Sequence, residues 1–159
     1  MWHDTGKIKL ENNSVGIFTT ANATSYFTDV NVTDGEIEVG NNSKGIFVSG
    51  NSATNLINGA KMTIGDNSFA YVLETKEIPA DPVAGTPVIQ SVLESNSTDE
   101  TKLGNNSIFI YSSDKTAIIT NKTPLRTTGN KNYGIYASGE ITNLADMDFS
   151  AGVGNVAIL

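Results

Sequence analysis

The sequence predicts an all-β chain wound as a parallel β-helix: a solenoid of five to six coils, three short strands per coil, with one extruded loop. Three observations predict it. A short phrase returns at a near-constant period, an apolar pair precedes it at fixed distance, and the residues between are corner formers.

The phrase reads Asn13-Ser14-Val15-Gly16-Ile17-Phe18, then Asn42-Ser43-Lys44-Gly45-Ile46-Phe47, then Asn67-Ser68-Phe69-Ala70-Tyr71-Val72, then Asn106-Ser107-Ile108-Phe109-Ile110-Tyr111. Two looser copies follow, Asn132-Tyr133-Gly134-Ile135-Tyr136 and Asn155-Val156-Ala157-Ile158-Leu159. Counted at the fourth residue of the full phrase, the steps are 29, 25, 39, 25 and 23 residues. The long step holds a Pro-rich stretch, read as an insertion of about 14 residues on a 25-residue template. The segment 76–99 is assigned to it, with Pro79, Pro82 and Pro87. Proline removes a ladder donor, so this stretch is expected to leave the coil.

The apolar pair stands eight and six residues before the small position: Ile8 and Leu10, Ile37 and Val39, Met62 and Ile64. Leu103 keeps half of it, Phe149 with Ala151 keeps the last, and Leu125 is off by one residue. Alternation at period two marks a strand with one buried face. A third segment carries Phe27, Val30 and Val32, then Leu56 and Ile57, then Ile118 and Ile119, then Ile141 and Leu144. A sandwich gives no reason for a repeated phrase, and a propeller blade needs about 40 residues.

Composition agrees. Only 38% of the chain is hydrophobic and 17% charged, and Asn, Thr, Ser and Gly fill the difference. Such residues favour turns and exposed strand faces over helices. The chain has no cysteine, which excludes disulfides and thiolate chemistry. A net charge of −7 without a basic stripe argues against nucleic acid. No apolar run is long enough to span a membrane, so the chain is not expected to be membrane-inserted. The first residues do not begin a signal peptide, so a targeting segment is expected outside this sequence. The last copy stops mid-coil, so the whole of 1–159 is read as one β-helix fragment of a larger protein. Its open last coil is expected to favour end-to-end self-association.

Each column of the repeat has a physical reading. Ile17, Ile46, Ile110 and Ile135, with Ile158 beyond them, form an interior file, each fully buried member contributing about 1.5–3 kcal/mol. Asn13, Asn42, Asn67 and Asn106 form a corner ladder, because Asn tolerates the left-handed conformation and its amides can bond coil to coil. That column is read as slipping to Asn132 and Asn155 in the last coils. The aromatic column Phe18, Phe47, Tyr111 and Tyr136 follows the Ile file directly. Adjacent strand residues point to opposite faces, so it is either an exposed stripe or turned inward by a corner. It and the segment with Pro79, Pro82, Pro87, Val88 and Ile89 are the candidate partner-binding residues.

Chemistry is scarce. His3 is the one histidine and Arg126 the one arginine. There is no nucleophile elbow, phosphate loop or calcium-binding repeat. Asp29, Asp34, Glu36, Glu38 and Asp66 are scattered and read as surface acids. No catalytic, metal or cofactor residue is assigned, and the chain is not expected to be an enzyme. A polysaccharide-processing β-helix and a phage or fimbrial stalk piece are the alternatives.

The phrase Asn-Ser-x-Gly-Ile-Phe/Tyr among Asn/Thr/Gly-rich corners resembles the passenger of a type V autotransporter. It is most similar to the large adhesin passengers of fusobacterial type. The residues that carry the resemblance are Asn13 to Phe18, Asn42 to Phe47 and Asn132 to Tyr136. The resemblance implies a right-handed β-helix stalk outside the outer membrane, serving adhesion, aggregation or virulence. The partner would be a host or bacterial surface protein or glycan. No catalytic motif of the family is carried over.

Overall fold

The three strands of a coil lie on three faces, and the faces run from coil to coil as parallel ladders, with one break on the first face. A computed structural model of the chain describes residues 6–21, 27–75 and 90–159. The first coil is β1 (Lys7–Lys9), β2 (Val15–Ala21) and β3 (Phe27–Val32), and the second β4 (Glu36–Val39), β5 (Lys44–Gly50) and β6 (Ala53–Asn58). The third is β7 (Lys61–Ile64), β8 (Phe69–Thr75) and β9 (Val92–Ser95), and the fourth β10 (Thr101–Leu103), β11 (Ile108–Ser112) and β12 (Ile118–Asn121). The fifth is β13 (Leu125–Thr127), β14 (Tyr133–Ala137) and β15 (Glu140–Asn143); β16 (Met147–Asp148) and β17 (Val156–Ile158) begin a sixth. No described residue is helical. The fold is an all-β parallel solenoid of about five turns, as the repeat predicts.

The middle face is one six-stranded sheet in the order β2-β5-β8-β11-β14-β17, and the third face a five-stranded sheet in the order β3-β6-β9-β12-β15. The first face divides into β1-β4-β7 and β10-β13-β16. Where that ladder breaks, the Thr101 hydroxyl donates to the Met62 carbonyl at 2.8 Å and bridges the gap.

The Ile file is continuous. Ile17 registers with Ile46, Ile46 with Tyr71, Tyr71 with Ile110, Ile110 with Ile135 and Ile135 with Ile158. Ile46, Tyr71, Ile110 and Ile135 have no exposed surface. Val30, Leu56, Leu93 and Ile119 from the third face, with Ile37, Met62, Leu103 and Leu125 from the first, complete the core.

One boundary differs from the sequence reading. The segment 76–99 is not all insertion, because Val92–Ser95 is the third strand of its coil. It pairs with β6 on one side and β12 on the other, and Leu93 is fully buried. Composition hid this strand, since it follows directly on the Pro-rich run. Residues 76–89 lie outside the described residues.

The corner before the middle face divides its labour among successive residues. Asn13, Asn42, Asn67 and Asn106 hold positive φ of 59°, 53°, 54° and 52°, so the left-handed corner is where the sequence places it. The coil-to-coil bonds, however, come from the residue before. Asn12, Asn41, Asp66, Asn105 and Asn130 each accept the main-chain N–H of the next coil through Oδ1, at 2.8–3.0 Å. These bonds span 29, 25, 39, 25 and 23 residues, the same intervals as the repeat. Ser43, Ser68 and Ser107 run a second ladder with the opposite polarity, each hydroxyl accepting the N–H of its counterpart one coil earlier.

Asn132 and Asn155 belong to this second ladder, not to the left-handed corner. Asn132 Oδ1 accepts Ser107 N–H at 3.0 Å and Asn155 Oδ1 accepts Asn132 N–H at 2.9 Å. The left-handed position passes instead to Lys131 (φ 58°) and Gly154 (φ 70°). Thr128 is one residue extra between Thr127 and Gly129, relative to Leu103 and Gly104, and that residue also displaces Leu125 in the repeat. Small corner residues let the coils approach. A Cβ at Gly129 would lie 2.2 Å from the Gly104 carbonyl oxygen, closer than any side chain can stand.

Candidate functional site: an exterior aromatic stripe

The backbone bends inside the repeated phrase, and that bend decides where the aromatic residues point. On β5 the burial alternates from Lys44 to Ser49 except at Gly45 and Ile46, which are both buried. The same pair recurs as Ala70 and Tyr71, Phe109 and Ile110, and Gly134 and Ile135. Two successive inward residues mark a corner, and the position is small because space is short. A Cβ at Gly45 would meet Met62 Cε at 2.6 Å and the Ala70 carbonyl oxygen at 2.7 Å. The residues on either side of the corner therefore both face outward. Of the two orientations the sequence leaves open, the aromatic column takes the exterior one.

Phe18, Phe47, Val72, Tyr111 and Tyr136 lie in one register file on the outside of the middle face. Phe18 is 57% exposed and Tyr136 39%. Phe47 and Tyr111 are intermediate, and Val72 between them is nearly covered. A second outward file runs beside it, three residues earlier: Val15, Lys44, Phe69, Ile108, Tyr133 and Val156. The sequence reading missed Phe69 and Tyr133, although their fixed place between the Ser or Asn and the small residue of the phrase was the available signal.

The two files touch. Ring centroids are 5.2 Å apart for Phe18 and Phe47, 5.7 Å for Tyr111 and Tyr136, 6.0 Å for Phe69 and Tyr111, and 5.5 Å for Tyr133 and Tyr136. The last two pairs are edge-on, the arrangement favoured by the ring quadrupole. Lys44 Nζ lies 5.7 Å from the Phe47 ring centre and 5.8 Å from that of Phe69, a cation–π contact that holds the ammonium against the stripe.

The borders are mostly neutral and polar, Lys131 extending the first of them. On one side stand the exposed left-handed Asn13, Asn42, Asn67 and Asn106, whose side-chain amides make no hydrogen bond to the described residues. On the other stand Thr20, Ser49, Ser113 and Ser138, with Glu74 among them. Charges gather elsewhere. On the first face Lys7 meets Glu38 at 2.7 Å and Glu36 at 3.6 Å, and Arg126 meets Glu100 at 3.0 Å. The Glu38 and Lys7 side chains hold each other charged, the hydrogen bond between them lowering the pKa of the acid and raising that of the base.

Two buried polar clusters adjoin the middle face. In the first, Asp114 is 1% exposed. Thr75 donates to it, Thr75 and Ser91 hydroxyls lie 3.0 Å apart, and Thr116 donates through its N–H (2.9 Å) and hydroxyl (2.7 Å). Burial pushes the Asp114 carboxyl up, but the bonds from Thr75, Ser91 and Thr116 together outweigh it and hold the group below its ordinary value. Thr75 and Ser91 flank 76–89, so this carboxylate clamps the base of the inserted segment. In the second, the Tyr71 hydroxyl takes a bond from Asn58 at 2.7 Å and meets Ser95 at 3.1 Å. Burial, opposed by those two bonds, pushes Tyr71 up to about 12.

Among the described residues no three His, Asp or Glu side chains converge to hold a metal ion. Of the scattered acids, Glu36 and Glu38 are ion-paired and Asp66 takes an Asn place in the corner ladder. A cleft of about 270 Å³ lies at the ladder break beside Lys61, Thr63, Glu100 and Lys102, and one of about 390 Å³ opens over Ile8, Ile17 and Val30 of the first coil. Pro79, Pro82, Pro87, Val88 and Ile89 lie outside the described residues. Comparison with protein-family models, with curated proteins and with solved structures gives no match for this chain.

Proposed function

We propose that this chain is a segment of a type V autotransporter passenger, a stiff stalk on the bacterial surface that also makes adhesive contact with a host or bacterial partner. The observation that carries the proposal is the exterior stripe. Five successive coils contribute to it, and the register that builds the core aligns it, so stalk and contact surface are one construction. Contiguous exposed apolar surface of this kind marks interaction sites. The two corner ladders lock each coil to the next by side chains as well as main chain, which suits a load-bearing spacer.

Fluorescent beads coated with the protein and counted on epithelial and bacterial cells test the reading. Phe18→Ser with Tyr136→Ser is expected to reduce attachment several-fold while leaving the circular dichroism spectrum intact, because both rings are solvent-facing. Attachment unchanged by that pair would remove the stripe from the contact. The inserted segment is tested separately by deleting 76–89. A deletion of 76–99 would take β9 out of its sheet and confound binding with folding.

A further inference from the structure

We infer that the stripe takes an uncharged, linear polysaccharide laid along the solenoid axis. The inference rests on the stripe being the contact surface, and it names the class of ligand. Three features of the site carry it.

The first is the chemistry of the platform. The C–H groups of a sugar ring carry partial positive charge and pack on the negative face of an aromatic ring. Phe18, Phe47, Tyr111 and Tyr136 offer such rings from four of five successive rungs, about 4.8 Å apart. That step is of the order of one sugar unit, so an extended chain of units along the axis meets a repeat of its own scale.

The second is the border. Sugar hydroxyls need neutral donors and acceptors at the edge of the rings. The free amides of Asn13, Asn42, Asn67 and Asn106 supply them on one side, and the hydroxyls of Thr20, Ser49, Ser113 and Ser138 on the other. The Tyr111, Tyr133 and Tyr136 hydroxyls make no hydrogen bond to the described residues and add donors within the stripe itself. Lys44, Lys131 and Glu74 are the charged groups on this face among the described residues, two cations and one acid spread over three coils, with no run of one sign to select an ionic polymer.

The third is what the sheet denies. A peptide commonly binds a sheet by adding a strand at an open edge. Here β5, β8, β11 and β14 are paired on both sides, so the length of the stripe offers no main-chain edge.

Affinity electrophoresis through gels holding a soluble β-glucan, a xylan or a galactomannan, with a polyuronate and a sulfated glucan in parallel, tests the inference. Retardation by at least one neutral polymer is expected, insensitive to salt. Phe47→Ala with Tyr111→Ala should weaken it at least ten-fold, and Phe47→Tyr should keep it. Asn42→Gly with Asn106→Gly removes two amides, keeps the left-handed corner and should also weaken it. Retardation by the charged polymers alone, or by none, would overturn the inference. Stripe-dependent bead attachment that survives periodate oxidation of the target cells would do so too, while leaving the adhesive reading standing.

Discussion

Replacing Asp114 with alanine is expected to lower the stability of the solenoid by about 3 kcal/mol, read as a drop in the urea midpoint. The carboxylate is buried and accepts from Thr75 and from two groups of Thr116. Its removal takes the acceptor from the buried Thr75 hydroxyl, which keeps only Ser91 at 3.0 Å, and from the half-buried Thr116 donors, an unsatisfied buried group costing about 1–3 kcal/mol. The effect should also be local. Thr75 and Ser91 lose the anchor that joins the two sides of the inserted segment, so proteolysis within 76–89 should accelerate more than global unfolding does. Asp114→Asn keeps an acceptor oxygen and is expected to lose less. The pH dependence has a definite sign. The folded-state pKa lies below the ordinary aspartate value, so the contribution is complete above about pH 4 and fades as pH falls toward the folded pKa. In Asp114→Asn that acid-side loss should shrink.

Tyr71→Ala is expected to cost about 4 kcal/mol, the range for removing a wholly buried aromatic ring. Tyr71 has no exposed surface and meets Phe109 edge-on at 5.3 Å. Its position has a more specific test. Tyr71 is the exception in the Ile file, and Ser95 interrupts the Asn run of the file Val32, Asn58, Ser95, Asn121, Asn143. Where that file is complete, Asn121 donates to Asn143 at 2.9 Å. Where Ser95 interrupts it, Asn58 donates to the Tyr71 hydroxyl instead. The two exceptions compensate each other. Ser95→Asn alone is expected to destabilise, because the larger side chain meets the tyrosine hydroxyl. Combined with Tyr71→Ile it should recover at least about 1 kcal/mol over Tyr71→Ile alone, a coupling within the usual range for contacting residues. Additive single-variant losses would contradict the compensation. Alkaline titration gives a second reading. The folded-state pKa of Tyr71 is raised to about 12, so its share of stability holds below about pH 10 and is lost as pH climbs through that interval.

The interior file was legible because Ile17, Ile46, Ile110 and Ile135 recur at the period of the coil, and burial follows from that alone. The facing of Phe18 and Phe47 was not legible. It depends on a bend between two adjacent residues, and alternation cannot say which residue of a strand breaks the rule. The small residue at the bend was the clue, blurred by Phe109, which fills the same place with a large ring in the coil opposite Tyr71. The strand Val92–Ser95 was hidden because proline reports where a ladder cannot be, not where it resumes. The Asn ladders were half legible. A left-handed corner favours Asn on its own account, but which of two neighbouring amides reaches the next coil depends on side-chain direction, which no count of residues contains. Asn132 and Asn155 were misplaced for a related reason: either Asn or Ser can accept the same main-chain bond, so identity did not reveal position.

Phe18 and Tyr136, 118 residues apart in sequence, stand four rungs apart on one outer file. The chain has no cysteine, so Phe18→Cys with Tyr136→Cys can be spin-labelled without background. Pulsed dipolar spectroscopy should give one separation centred near about 19 Å, four steps of about 4.8 Å, broadened by the label arms. A distribution centred at twice that distance, or one without a defined maximum, would contradict the stacked register and with it the stripe.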